Sequence, residues 1–274
     1  MRFVILLFLH VFVNVSTVPV IPVSIPTVVP ISPPPTDAFL IACAQRAPSC
    51  ESVWTAPVPP LYRVPVSTTQ GGFTILVNTS AAPSKAARFH VLSLLGYFHG
   101  GPFYRVLSQS KNHSFVSQFG YRGTPAVDLA WLALQTSNET ERVLLPNARG
   151  TVAFGTGEVA NSGSPGNCTA AECSLGFSVE LFINLADNSA KLDPMDFAPF
   201  GVVEGEEGMA VVDSLFAGYG ECADLCSQEP ADSYCVRSGG GFAGVNLTRF
   251  LSPEGGWDNY LRTNFPLLDS VLYG

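Results

Sequence analysis

Two strand-period runs joined by a tight turn constrain the fold of this chain more than any other feature. Tyr62-Arg63-Val64-Pro65-Val66-Ser67-Thr68 alternates in character, Gln70-Gly71-Gly72 supplies a turn, and Phe73-Thr74-Ile75-Leu76-Val77 returns as a second strand. Successive side chains of a strand face opposite ways, so the pattern predicts a hairpin with one buried face. Phe103 to Leu107, Thr151 to Phe154 after the Asn147-Ala148-Arg149-Gly150 turn, Val179 to Leu185 and Phe197 to Val203 read as further strands. Helical spacing is clear in two places. Pro83 opens a helix to about Leu95 with Phe89, Leu92 and Leu95 near one face, and Glu207 to Ala217 carries Met209, Val212, Leu215 and Phe216. Several strands with two helices predict a mainly β fold, a closed barrel capped by helices rather than an alternating α/β sheet. The 25 glycines and 22 prolines agree, because they favour turns over long helices, and an apolar fraction of 47% can fill a core for one domain over residues 61–274.

The ends and the cysteines speak to compartment. Arg2 precedes an apolar run from Phe3 to Val15, shorter than the ~20 residues that span a bilayer, so residues 1 to about 18 read as a secretory signal peptide. A membrane enters only if this segment is an uncleaved anchor. Sequons at Asn78, Asn112, Asn138, Asn167 and Asn246 predict a glycoprotein exposed to the secretory lumen or the extracellular space. Seven cysteines, Cys43, Cys50, Cys168, Cys173, Cys222, Cys226 and Cys235, form three short-range groups that suit local disulfides better than zinc knuckles, and the odd count leaves one thiol free or paired with another chain. Val18 to Pro35 is punctuated by proline and reads as an extended linker. Asp37 to Pro60, with Cys43 and Cys50, stays unassigned. A net charge of −8 argues against nucleic acid as a partner, since phosphate backbones need a basic face.

The chemistry gathers in Gly101 to Gly120, where Arg105 sits among aromatics and Phe115-Val116-Ser117-Gln118 follows ten residues later. Arg105, Phe115 and Gln118 together offer a fixed cation, an apolar floor and an amide, with no acid, base or nucleophile of the usual kind. That set suits a reaction that breaks no covalent bond. A hydrolase fits poorly: there are four histidines, one inside the signal, and neither a nucleophile elbow nor a metal-ligand helix. Gly155-Thr156-Gly157-Glu158-Val159-Ala160 matches the letters of a dinucleotide fingerprint, but Asn161 to Gly166 follows where a helix would have to start, so a loop is expected there. Neither a cofactor nor a metal is expected.

From Tyr62 onward the ordered segments TTQGGFTILV, the helix opened by Ala82-Pro83, GPFYRV, FVSQFG with GTPAVDLAW, NARGTVAF, ELFINLADNSAKLD and DFAPFGVVEGEEGMAVVDSLFAGYGE resemble cyclophilin-type peptidyl-prolyl cis/trans isomerases, particularly the branch close to bacterial members. The resemblance implies an eight-stranded closed antiparallel barrel with two capping helices. By position, Arg105 corresponds to the family's catalytic arginine and Gln118 to the glutamine that holds it. Phe115, Val116, Phe182 and Leu192 correspond to the proline pocket, and Gly155 and Thr156 to backbone groups that align the peptide. Phe197 lies near the place of a pocket histidine. The resemblance further implies proline-containing peptides or proteins as partners and help with client folding. Its departures are extra residues within Ser108 to Ser114 carrying the Asn112 sequon, a second insertion from Glu158 to Phe177, and Glu180 in place of a groove glutamine. Glu180 is expected to reach Arg105 and weaken its donation to substrate, which keeps open the alternative of a catalytically weak module that binds proline peptides or serves as a scaffold. The cyclosporin-contacting tryptophan has no counterpart at Ala190 or Lys191, so binding of that drug is expected to be weak or absent.

Overall fold

A computed structural model describes residues 24–108, 114–137, 141–160, 173–228 and 234–273. The signal segment, the centre of the first insertion with Asn112, and the sequons at Asn138 and Asn167 with Cys168 lie outside them. Eight strands form the main sheet: β1 (Leu61–Thr68), β2 (Gly71–Asn78), β3 (Arg105–Ser108), β4 (Ser114–Phe119), β5 (Thr151–Phe154), β6 (Leu181–Asn184), β7 (Gly201–Val203) and β8 (Val271–Tyr273). They pair antiparallel in the order β8-β1-β2-β7-β5-β6-β4-β3. The expected β1–β2 hairpin is present, with Tyr62 opposite Val77 and Val66 opposite Phe73, and Tyr62, Val64, Val66, Phe73, Ile75 and Val77 all lie in the core.

The sheet is an open half-barrel, which corrects the expected closed one. Its edges β3 and β8 meet through an isolated bridge, Pro102 to Ser270, with Phe103 N–H donating to Asp269 O at 2.8 Å. Proline has no N–H to extend that ladder, and β3 loses register with β4 between Val106 and Ser108, so the seam never becomes a paired strand.

Among the described residues, five helices of at least six residues surround the sheet: α1 (Asp37–Ala44), α2 (Pro83–Leu94), α3 (Pro125–Leu132), α4 (Gly205–Asp213) and α5 (Ala223–Gln228). The two read from sequence are α2 and α4, and α4 is shifted toward the N-terminus, ending at Asp213 rather than Ala217. The Tyr62 hydroxyl donates to Ala86 O at 2.6 Å and ties α2 to β1. Residues 24–60 are docked on the domain. β8 covers only the Ser67–Thr68 end of β1, and Pro26 to Val28 occupies the free edge at the other end through Val28 N–H to Arg63 O (2.8 Å) and Arg63 N–H to Pro26 O (2.9 Å). Further on, α1 is closed by the Cys43–Cys50 disulfide and lies against α3, where Trp131 donates to Leu40 O at 3.1 Å and stacks on Trp54 at 5.7 Å between centroids. A second disulfide joins Cys226 and Cys235, and among the described residues Cys222 is a free, buried thiol. The fingerprint-like segment starts no helix. Gly157–Ala160 is instead a strand beside Cys173–Phe177, which also pairs with Thr136–Ser137.

Candidate active site

The groove is written into the sheet register. Arg105 on β3 lies opposite Gln118 on β4, Gln118 opposite Phe182 on β6, and Phe182 opposite Ala153 on β5, so one row of side chains crosses four strands on a single face. Neighbouring positions along the strands alternate into the barrel core. Val116, Ala153, Phe182 and Leu192 therefore make a small apolar cluster of their own, with Phe115 and Phe197 packed against it. Gly120 follows β4, and its φ of +126° and position, with a Cβ falling 2.1 Å from Val179 O, leave room only for glycine.

Leu192 and Phe197 arrive on the loop after β6, held by a buried amide network. Asn188 donates to Asn184 Oδ1 and to Phe115 O, both at 2.8 Å, while Asn184 donates to Thr151 Oγ1 at 2.9 Å. Asn147 donates to Asp193 Oδ1 and to Phe197 O, both at 2.7 Å. Fully satisfied buried amides of this kind fix a loop against the strands. Phe197 thereby meets Phe182 edge to face at 5.6 Å.

All ten residues singled out from the sequence line one cavity of about 150 Å³: Arg105, Phe115, Val116, Gln118, Gly155, Thr156, Glu180, Phe182, Leu192 and Phe197. Its apolar half has room for one small ring. Its polar half holds Arg105, Gln118, Thr156 and Glu180, and Lys191 caps the rim with its ammonium 4.5 Å from the Phe115 ring centre.

The electrostatics differ from expectation. Glu180 does not pair with Arg105. Its carboxylate accepts from Gln118 Nε2 at 2.6 Å, from the Tyr104 hydroxyl at 2.8 Å and from the Tyr121 hydroxyl at 3.1 Å. Burial, and then the charge of Glu180, push both phenols well up, so they remain donors. Held this way, the Gln118 amide turns its oxygen to Arg105 and accepts from Nη1. The partner of Arg105 is Glu221, which follows α4 and sits 116 residues away in the chain. Nε donates to Glu221 Oε1 and Nη2 to Oε2 at 2.6 Å, a two-pronged pair. Burial is the largest influence on this guanidinium and disfavours its charge. The hydrogen bonds and charge of Glu221 outweigh it and hold Arg105 more basic than usual. Sequence reasoning missed Glu221, Tyr104 and Tyr121. The first lies on a loop without periodicity, and the tyrosines read as ordinary core aromatics.

A cation at the wall of a small apolar slot, beside an amide and with no nucleophile, can hold a carbonyl or an amide nitrogen and stabilise charge that shifts between them. No curated protein matches the chain. The structure is similar to the Mimivirus cyclophilin at 16% identity over 66% of this chain and 85% of that one, with a TM-score of 0.44. It is also similar to a Cryptosporidium parvum cyclophilin type peptidyl-prolyl cis-trans isomerase at 15% identity over 57% of this chain and 86% of that one, with a TM-score of 0.38. The family model for "Cyclophilin type peptidyl-prolyl cis-trans isomerase/CLD" matches residues 63–230. That span takes in both halves of the groove and the loop bearing Glu221, and it covers more than half of the chain: the protein belongs to the cyclophilin-type peptidyl-prolyl cis-trans isomerases.

Proposed function

We propose that this groove accelerates rotation about Xaa-Pro bonds in clients of the secretory pathway, with Arg105 as the catalytic residue. Such a bond resists rotation by ~18–20 kcal/mol because the nitrogen lone pair is shared with the carbonyl, and exchange takes tens of seconds or more uncatalysed. Twisting localises the lone pair on nitrogen. Arg105 donates a hydrogen bond to that nitrogen or grips the substrate carbonyl, in either case stabilising the twisted state more than the planar one. Its proton is never transferred. Phe115, Val116, Phe182, Leu192 and Phe197 hold the pyrrolidine ring so that the rest of the peptide turns, while Gly155 and Thr156 align the flanking backbone. The carrying observation is the joining of this apolar slot to a buried, oriented guanidinium in one cavity.

The secretory part rests on the signal-like N-terminus, the sequons and the disulfides Cys43–Cys50 and Cys226–Cys235. Asn78, one of the two sequon asparagines among the described residues, is exposed. The commitment of three Arg105 N–H groups to protein acceptors favours a second reading, a module that binds proline peptides without turning them. The experiment that separates the two is the refolding of a disulfide-containing secreted client whose slow phase is limited by proline isomerisation. The full chain is expected to shorten that phase and the Arg105→Ala variant to leave it at the uncatalysed rate. A slow phase untouched by the wild type, with client binding intact, favours the second reading.

A further inference from the structure

We infer that Glu221 is a positioning residue for the isomerase reaction: its carboxylate locks the Arg105 guanidinium in one orientation, with its remaining donors presented to the cavity. The inference rests on the reading of Arg105 as the catalytic group. A guanidinium has five N–H bonds, one on Nε and two on each terminal nitrogen. Glu221 takes the one on Nε and one on Nη2, and Gln118 takes one on Nη1, so a single N–H remains on each terminal nitrogen. The side-chain exposures, 13% for Arg105 and 5% for Glu221, leave the pair little water to compete for those bonds.

The mount is built for the task. Glu221 Oε1 also accepts from the Cys222 amide at 2.8 Å, which fixes the carboxylate itself. Its own amide donates to Tyr234 O at 3.0 Å, next to the Cys226–Cys235 disulfide. On the other side the chain passes so close at Gly244 that a Cβ there would fall 1.5 Å from Glu221 O. Without Glu221 the arginine keeps its bond to Gln118 and can swing about it. A free swing costs orientation, and misplacement by about 1 Å can cost about a hundredfold in rate.

The pair predicts a loss in turnover, not in binding. Exchange NMR of an Ala-Pro peptide at several concentrations, on full-length wild type, Glu221→Gln, Glu221→Asp, Arg105→Ala and Arg105→Ala/Glu221→Gln, separates kcat from KM. Glu221→Gln is expected to lower kcat about tenfold to a hundredfold with KM within about threefold, and Glu221→Asp to recover part of the loss. The ¹⁵N–¹H signal of Arg105 Nε, protected in the wild type, is expected to shift and exchange with water in Glu221→Gln, which is independent of turnover. The double variant should match Arg105→Ala alone, because Glu221 acts through Arg105. A Glu221→Gln enzyme as fast as wild type or faster, or an unchanged Nε signal, overturns the inference. If Glu221→Gln does not fold, Glu221→Asp at full wild-type kcat overturns it equally. A wild type that gives no acceleration removes the isomerase reading itself, and the positioning role falls with it.

Discussion

Arg105 and Glu180 do not form the pair expected of them. A carboxylate two strands from an arginine is an obvious partner, yet Glu180 is already saturated by Tyr104, Tyr121 and Gln118. It therefore orients the glutamine instead of quenching the cation. Glu180→Gln keeps a carbonyl for Gln118 and Tyr104, and its amide can still meet the Tyr121 oxygen. The variant is expected to keep kcat/KM within about fivefold of wild type, the scale of one net hydrogen bond of ~1 kcal/mol. A gain of tenfold or more in the same peptide exchange assay would mean that Glu180 does damp Arg105.

At the scale of elements, α3 is fastened by one buried carboxyl. Asp128 accepts from the amides of Arg122 (2.7 Å) and Gly123 (3.0 Å) and from the Tyr97 hydroxyl (2.8 Å), closing the turn that follows Gly120. Burial outweighs these donors and pushes its pKa from 3.8 up to about 6. The unfolded chain therefore releases this proton near 3.8, while the folded one keeps it until about 6. Stability from this group is complete below the lower value and falls as pH rises through the window, by at most about 3 kcal/mol. Urea midpoints at pH 4 and pH 6.5 should show this fall in the wild type and a flatter profile in Asp128→Asn. An identical profile in both would remove Asp128 as its source.

Across the whole molecule, the parts legible in the sequence are those whose signal is local or periodic. The β1–β2 hairpin follows from alternation and the Gln70-Gly71-Gly72 signal, although the turn itself is Thr69–Gln70 and both glycines pair in β2; the helix α2 follows from Pro83 and its apolar spacing. The ten cavity residues come from segments recognisable by order; the strand register brings Arg105, Gln118 and Phe182 into one row, β4 also carries Phe115 and Val116, and the segments beside those strands bring the others to the cavity. Three features were not legible. Closure of the barrel depends on a seam where Pro102 and a shift in β3 interrupt pairing, a matter of geometry with no pattern to read. The proline-rich start reads as an extended linker because prolines forbid a central strand, whereas its Pro26 to Val28 occupies the edge of β1 that the short β8 leaves bare. The Arg105–Glu221 pair joins strand β3 to a loop 116 residues further on, and only the fold makes them neighbours.

The proposed isomerase activity rests on the cavity around Arg105 turning Xaa-Pro bonds. Magnetisation-exchange NMR on a short Ala-Pro peptide measures that turning directly, without a client or a coupled protease. The wild type is expected to raise the exchange rate above the uncatalysed value, and Arg105→Ala to lose about a hundredfold of that gain, the scale for removing one preorganised donor. A wild type at the uncatalysed rate, or an Arg105→Ala variant as active as wild type, would contradict it.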